Sequence, residues 1–186
     1  MQKKGCMIAC LLALLLCLFP RTANAVEAYT VENLDITIQV QEDGKLLVFE
    51  EYDLNFNYYR SSFTRNITST YHIPVTTTQG IVYRDYYFPV RDIQGDRLLS
   101  VERNEDGSIV TMGEEGMQLT GRQKFSISYT VQTSDLQMPD QSQMLYWTLV
   151  TNLDTRVNHL HYEIEMPKAF DPQEVYTNTG KYGDVK

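Results

Sequence analysis

The sequence predicts an all-β chain, a two-sheet antiparallel β-sandwich of immunoglobulin-like or jelly-roll-like kind, with little helix after its first 25 residues. Three observations carry this. Apolar and polar residues alternate with period two in segment after segment, two Asp-Gly turns separate such segments, and no stretch past residue 25 shows an i, i+3, i+4, i+7 apolar stripe. The 13 tyrosines, with many Thr and Val, also suit a pleated backbone. Turn signals recur at roughly 8 to 15 residues, a spacing that fits antiparallel sheets better than alternating strands and helices.

The chain divides into residues 1–25, 26–170 and 171–186. Lys3 and Lys4 form a basic start, 8–19 is an apolar run too short to span a bilayer comfortably, and Ala23-Asn24-Ala25 is a small-residue cleavage site. This is the pattern of a secretory signal peptide. Cys6, Cys10 and Cys17, the three cysteines of the chain, all fall inside it, so the exported chain is expected to hold neither disulfides nor thiolate chemistry. Loss of Lys3, Lys4 and Arg21 reduces the 16 basic residues to 13 against 24 acidic ones, a net charge of −11. Such a surface repels phosphates, which argues against nucleic acid as a partner.

Within 26–170, residues 34–40 alternate strictly, with Leu34, Ile36, Ile38 and Val40 on one side. Gln41-Glu42-Asp43-Gly44 supplies turn chemistry, and 45–56 returns with Leu46, Val48, Tyr52, Leu54 and Phe56 in phase, which predicts a hairpin. Asp106-Gly107 predicts a second hairpin between 98–103 and 108–112. Segments 125–132 and 159–166 read as strands with one wet face. The run 144–150, which contains the single Trp, is apolar on both faces and reads as a central strand. From 171 onward the periodicity is lost, as for an irregular segment.

Glu50 is out of place. It shares a side with Leu46, Val48, Tyr52, Leu54 and Phe56, so unbroken pairing sends a carboxylate into the core. Either a cation meets it, with Arg65 the preferred partner of a structural ion pair, or a β-bulge at Glu50-Glu51 turns it outward. Catalysis by Glu50 and Glu51 is disfavoured, since neighbours on a strand point to opposite faces. His159 and His161 share a face about 6.5 to 7 Å apart, with Glu163 next along, a spacing that can serve a metal but is also that of an ordinary solvent face. No catalytic motif gathers the serines and histidines, and no cofactor is implied. Tyr58, Tyr59, Tyr83, Tyr86 and Tyr87 could form an aromatic binding surface or simply fill strands. Asn66-Ile67-Thr68 fits the N-glycosylation pattern.

The order of these features resembles the bacterial domain-of-unknown-function family 2207. Asp43-Gly44, Val48, Glu50, Phe56, Phe63, Arg65 and Ile67 resemble its opening. Phe125, Ile127, Tyr129 and Val131, then Leu145-Tyr146-Trp147, Met166-Pro167 and Thr179-Gly180 with Gly183 resemble its later blocks. Thr148 and Ser62 depart from it, where Asn and Gly are common. The resemblance implies an extracytoplasmic β-sandwich at the N-terminus of a membrane protein, followed by transmembrane helices. The expected function is therefore a non-enzymatic exported ectodomain that binds protein or cell-envelope polymer and meets the membrane only through a tether outside this chain. A glycan-binding module is the alternative, and a metal-dependent hydrolase around His159 and His161 the third.

Overall fold

The computed structural model describes residues 27–133, 145, 147–151, 153, 155–171, 173 and 175, with the side chains of 74–77 excepted. The expected leader, 1–25, and the expected closing turn, 179–183, lie outside the described residues. Ten strands are described: β1 (Tyr29–Val40), β2 (Lys45–Arg60), β3 (Ser62–Thr68), β4 (Thr70–Thr77), β5 (Gly80–Tyr87), β6 (Val90–Gly95), β7 (Leu98–Arg103), β8 (Gly107–Gly113), β9 (Leu119–Gln132) and β10 (Val157–Glu165). They form a five-stranded sheet in the order β10-β1-β2-β9-β6, a three-stranded sheet β3-β8-β7 and a two-stranded sheet β4-β5. The chain is all-β, but with three sheets where two were expected.

Alternation accounts for the first hairpin. β1 and β2 pair antiparallel from Val40↔Leu46 to Tyr29↔Phe56, and their in-phase residues are buried, Val40 only partly. A register shift between Val31 and Asn33 adds one residue, so Val31 and Leu34 both face inward despite their odd spacing. Gly44 takes φ 80° in the turn, and Gly44 N donates to Gln41 O at 3.0 Å. β9 continues the sheet, laying Phe125, Ile127, Tyr129 and Val131 beside the buried face of β2.

The β7–β8 hairpin supplies the facing layer. Asn104 Oδ1 accepts from the amides of Asp106 at 3.0 Å and Gly107 at 2.8 Å, which fixes the turn. β8 then pairs with β3, and Phe63, Ile67, Val110 and Met112 face the large sheet. Phe63 is the centre of the contact: its ring lies 5.0 Å from Tyr52 and 5.6 Å from both Tyr29 and Phe125. Gly107 permits the close passage of β3, since a Cβ there would sit 2.0 Å from the carbonyl oxygen of Ile67. Gly107→Ala is expected to cost about 2 kcal/mol or more, read as a lower urea midpoint than wild type.

Two sequence expectations need correction. The pairing is not antiparallel throughout, because β10 runs parallel to β1, with Leu34↔Leu160 and Ile38↔Ile164. β9 and β10 point the same way, so the chain must recross the sheet between them through the connection 133–156. That connection explains the second correction. The described residues of 144–150 are not strand; Leu145, Trp147, Leu149 and Val150 pack partly buried against the core, and residues 144 and 146 lie outside the described residues. The apolarity of these described residues reflects their packing against the core rather than a place in a ladder.

Candidate functional site

The buried polar centre is built where the two layers meet. No bulge occurs at Glu50: Ile36↔Glu50 and Asp35↔Glu51 continue the β1–β2 ladder, and Glu50↔Ile127 continues the β2–β9 ladder. The carboxylate therefore points inward, 1% exposed. On the facing layer, strict alternation along β3 sends Arg65 inward between Phe63 and Ile67, 2% exposed. The structure brings the two together in a bidentate pair. Arg65 Nε donates to Glu50 Oε2 at 2.9 Å and Nη2 donates to Oε1 at 3.1 Å.

Two tyrosines complete the carboxylate's shell. Tyr129 Oη donates to Glu50 Oε1 at 2.6 Å, and Tyr52 Oη donates to Oε2. Sequence reasoning missed both, treating them as apolar filler. A signal was present, since Tyr52 stands two residues from Glu50 on the same face and a buried hydroxyl requires a partner. The other edge of the guanidinium turns to the crossover. Nη1 donates to the carbonyls of Thr151 at 2.6 Å and Asn66 at 2.8 Å, and Nη2 lies 3.4 Å from the carbonyl of Leu149. Arg65 thus binds the large sheet and also satisfies the backbone of a segment that lacks strand partners.

Burial opposes ionisation of Glu50, but the attraction of Arg65 and the hydrogen bonds from Arg65, Tyr129 and Tyr52 outweigh it and hold the carboxyl below its ordinary range. Burial also opposes the charge on Arg65, yet Glu50 holds its pKa well above the ordinary value. Burial raises Tyr52 and Tyr129 well above theirs, with the Glu50 carboxylate adding to the effect. All four groups are locked in one protonation state and closed to solvent, an arrangement suited to structure rather than to proton transfer.

Stability follows with a definite sign. A lowered folded pKa makes the contribution of Glu50 complete above its unfolded value near 4.5 and lost as pH falls below that toward the folded value. The stability difference between wild type and Glu50→Gln, from urea midpoints, should therefore shrink below about pH 4.5. The raised tyrosines act at the other end, their contribution fading as pH rises above 10.

The remaining expected residues do not form one site. His159, His161 and Glu163 lie exposed on β10, and His161 Nδ1 is 3.5 Å from Asp35 Oδ1. Among the described residues no group of three His, Cys, Asp or Glu is placed to hold a metal ion. The five tyrosines are likewise dispersed. Tyr58 and Tyr59 sit where the β2–β9 register breaks between Phe56 and Arg60, and Tyr86 turns inward to stack on Phe88 at 6.1 Å. Tyr83 and Tyr87 share the outer face of β5, with Tyr83 stacked on His72 at 5.7 Å. Asn66 lies inside β3 with its side-chain oxygen buried, so the glycosylation pattern is not presented at the surface.

Among the described residues no helix is long and apolar enough to cross a membrane. No curated protein matches the chain. Similar solved structures include the native leukotriene A4 hydrolase of Saccharomyces cerevisiae, at 10% identity and a TM-score of 0.37, over 63% of this chain and 18% of that one. An M1 zinc metallopeptidase of Deinococcus radiodurans shows 12% identity and 0.34, over 62% of this chain and 23% of that one. Legionella pneumophila aminopeptidase A shows 13% identity and 0.32, over 56% of this chain and 10% of that one. The chain thus spans less than a quarter of each of these proteins, and at such scores the likeness carries no functional weight. The family described as "Predicted membrane protein (DUF2207) N-terminal domain" matches residues 30–186, from the second residue of β1 through β10 and beyond. The chain belongs to that family of predicted membrane proteins, as its N-terminal domain.

Proposed function

We propose that the domain is a non-enzymatic, extracytoplasmic module of a membrane-associated bacterial protein, exported by the leader 1–25, which holds a protein or a cell-envelope polymer on its exposed surface. The observation that supports this reading is a contrast in placement. The ionisable groups Glu50, Tyr52, Arg65 and Tyr129 are buried and hydrogen-bonded inside, whereas large side chains stand outward on β5: Ile81, Tyr83 and Tyr87 are 67%, 59% and 63% exposed. They alternate along the strand and so share one face. Amphipathic rings on one face of a hairpin suit contact with a peptide or with the flat face of a sugar.

A membrane-impermeant protease added to intact cells carrying the full-length protein tests the placement. The domain should be cleaved while a cytosolic marker survives. Cleavage only after lysis would overturn the extracytoplasmic reading. Retention on purified cell-envelope material tests the binding: the Tyr83→Ala, Tyr87→Ala double variant should bind about tenfold more weakly. Unchanged retention would remove the hairpin from the site. The same two rings favour a glycan as the second reading, and competition by soluble oligosaccharide but not by peptide would select it.

A further inference from the structure

β10 forms one edge of the five-stranded sheet, and the side chains on its core face stand partly exposed. Its parallel register sets Leu160, Tyr162 and Ile164 beside Leu34, Ile36 and Ile38. The β1 side chains are at most 1% exposed, yet Leu160, Tyr162 and Ile164 are 42%, 40% and 37% exposed. The opposite face carries His159, His161, Glu163 and Glu165. Among the described residues no strand pairs with the outer edge of β10. Edge strands are commonly blunted by lysine, proline or a bulge, and β10, with the sequence VNHLHYEIE and an unbroken register from Asn33↔His159 onward, has none of these there.

We propose that this edge pairs with the same edge of a second copy, antiparallel about a two-fold axis through Tyr162, joining two five-stranded sheets into one. In this register the strand is complementary to its own reverse. His161 falls opposite Glu163 and His159 opposite Glu165 on the outer face, while Leu160 meets Ile164 and Tyr162 meets its own copy on the apolar face. Neighbouring registers lose the match. An axis through His161 sets that imidazole against itself and Ile164 against Asn158, and an axis through Glu163 sets two carboxylates face to face. Asp35, 3.5 Å from His161 within its own chain, lies on the other side, toward β1. A single strand pair is a small interface, so the dimer is weak in dilute solution and strengthened when copies share one membrane.

Cysteine trapping tests the register in the purified chain, with Cys6, Cys10 and Cys17 replaced by serine. Tyr162→Cys places two thiols opposite each other across the axis, within disulfide reach, whereas Leu160→Cys, on the same face and similarly exposed, leaves them about 13 Å apart along the strand. Mild oxidation should give disulfide-linked dimer at least about tenfold faster at position 162 than at 160. Adding His159→Glu and His161→Glu should abolish that advantage by opposing carboxylates across the interface, and further Glu163→His and Glu165→His should restore it. Equal rates at 160 and 162, or a fast rate at 162 indifferent to the charge reversal, would overturn the proposal. So would a fast rate at 162 without rescue by the reciprocal exchange.

Discussion

Glu50→Gln is expected to destabilise the domain by about 3 to 5 kcal/mol, measured as urea or thermal unfolding at neutral pH. The side chain keeps its shape but loses the charge that compensates Arg65, whose guanidinium is 2% exposed and donates to no other carboxylate among the described residues. Coulomb attraction, not volume, is what the substitution removes. The loss should greatly exceed that from Glu51→Gln, whose carboxylate stands one residue along on the exposed face. Similar losses from the two variants would place the Glu50 carboxylate in water and contradict the buried pair.

Phe63→Ala should cost a comparable amount, about 3 to 5 kcal/mol, for a different reason. Phe63 is 1% exposed and touches rings from three strands of the other layer, Tyr29 of β1, Tyr52 of β2 and Phe125 of β9. Truncation opens a cavity that strands tied into two ladders cannot collapse to fill. Phe63→Leu, which keeps much of the volume, should recover more than half of the loss in the same unfolding measurement. Equal losses for the two would mean that the layers close over the gap, and that Phe63 is not what spaces them.

The sequence made the two hairpins legible because side-chain alternation and Asp-Gly turns are local signals. It made Glu50 and Arg65 legible for a related reason: a charge in phase with Leu46, Val48 and Leu54 must be answered, and Arg65 occupies the same phase between Phe63 and Ile67. Strand direction is not local. Period two is the same in parallel and antiparallel pairs, so β10 beside β1 could not be distinguished from an antiparallel neighbour, nor could its uncovered apolar face be anticipated. The run 144–150 misled because apolarity on all sides marks burial, whether the backbone is laddered or, as at Leu149 and Thr151, bonded by a guanidinium. The β4–β5 hairpin went unread because Pro74 interrupts the alternation of Tyr71 and Ile73, and proline weakens a strand reading. The tyrosine partners of Glu50 were hidden by their dual character, an apolar ring with a polar end.

A carboxylate and a guanidinium hold the two layers together, and a double-mutant cycle tests this most directly. Unfolding free energies would be measured for wild type, Glu50→Gln, Arg65→Met and the double variant. The pair predicts strong coupling, with the double variant losing at least about 1.5 kcal/mol less than the two single losses combined, because removing the second charge relieves the first. Losses that add to within about 0.5 kcal/mol would show that the two groups act independently, and the ion pair could not then be what joins the sheets.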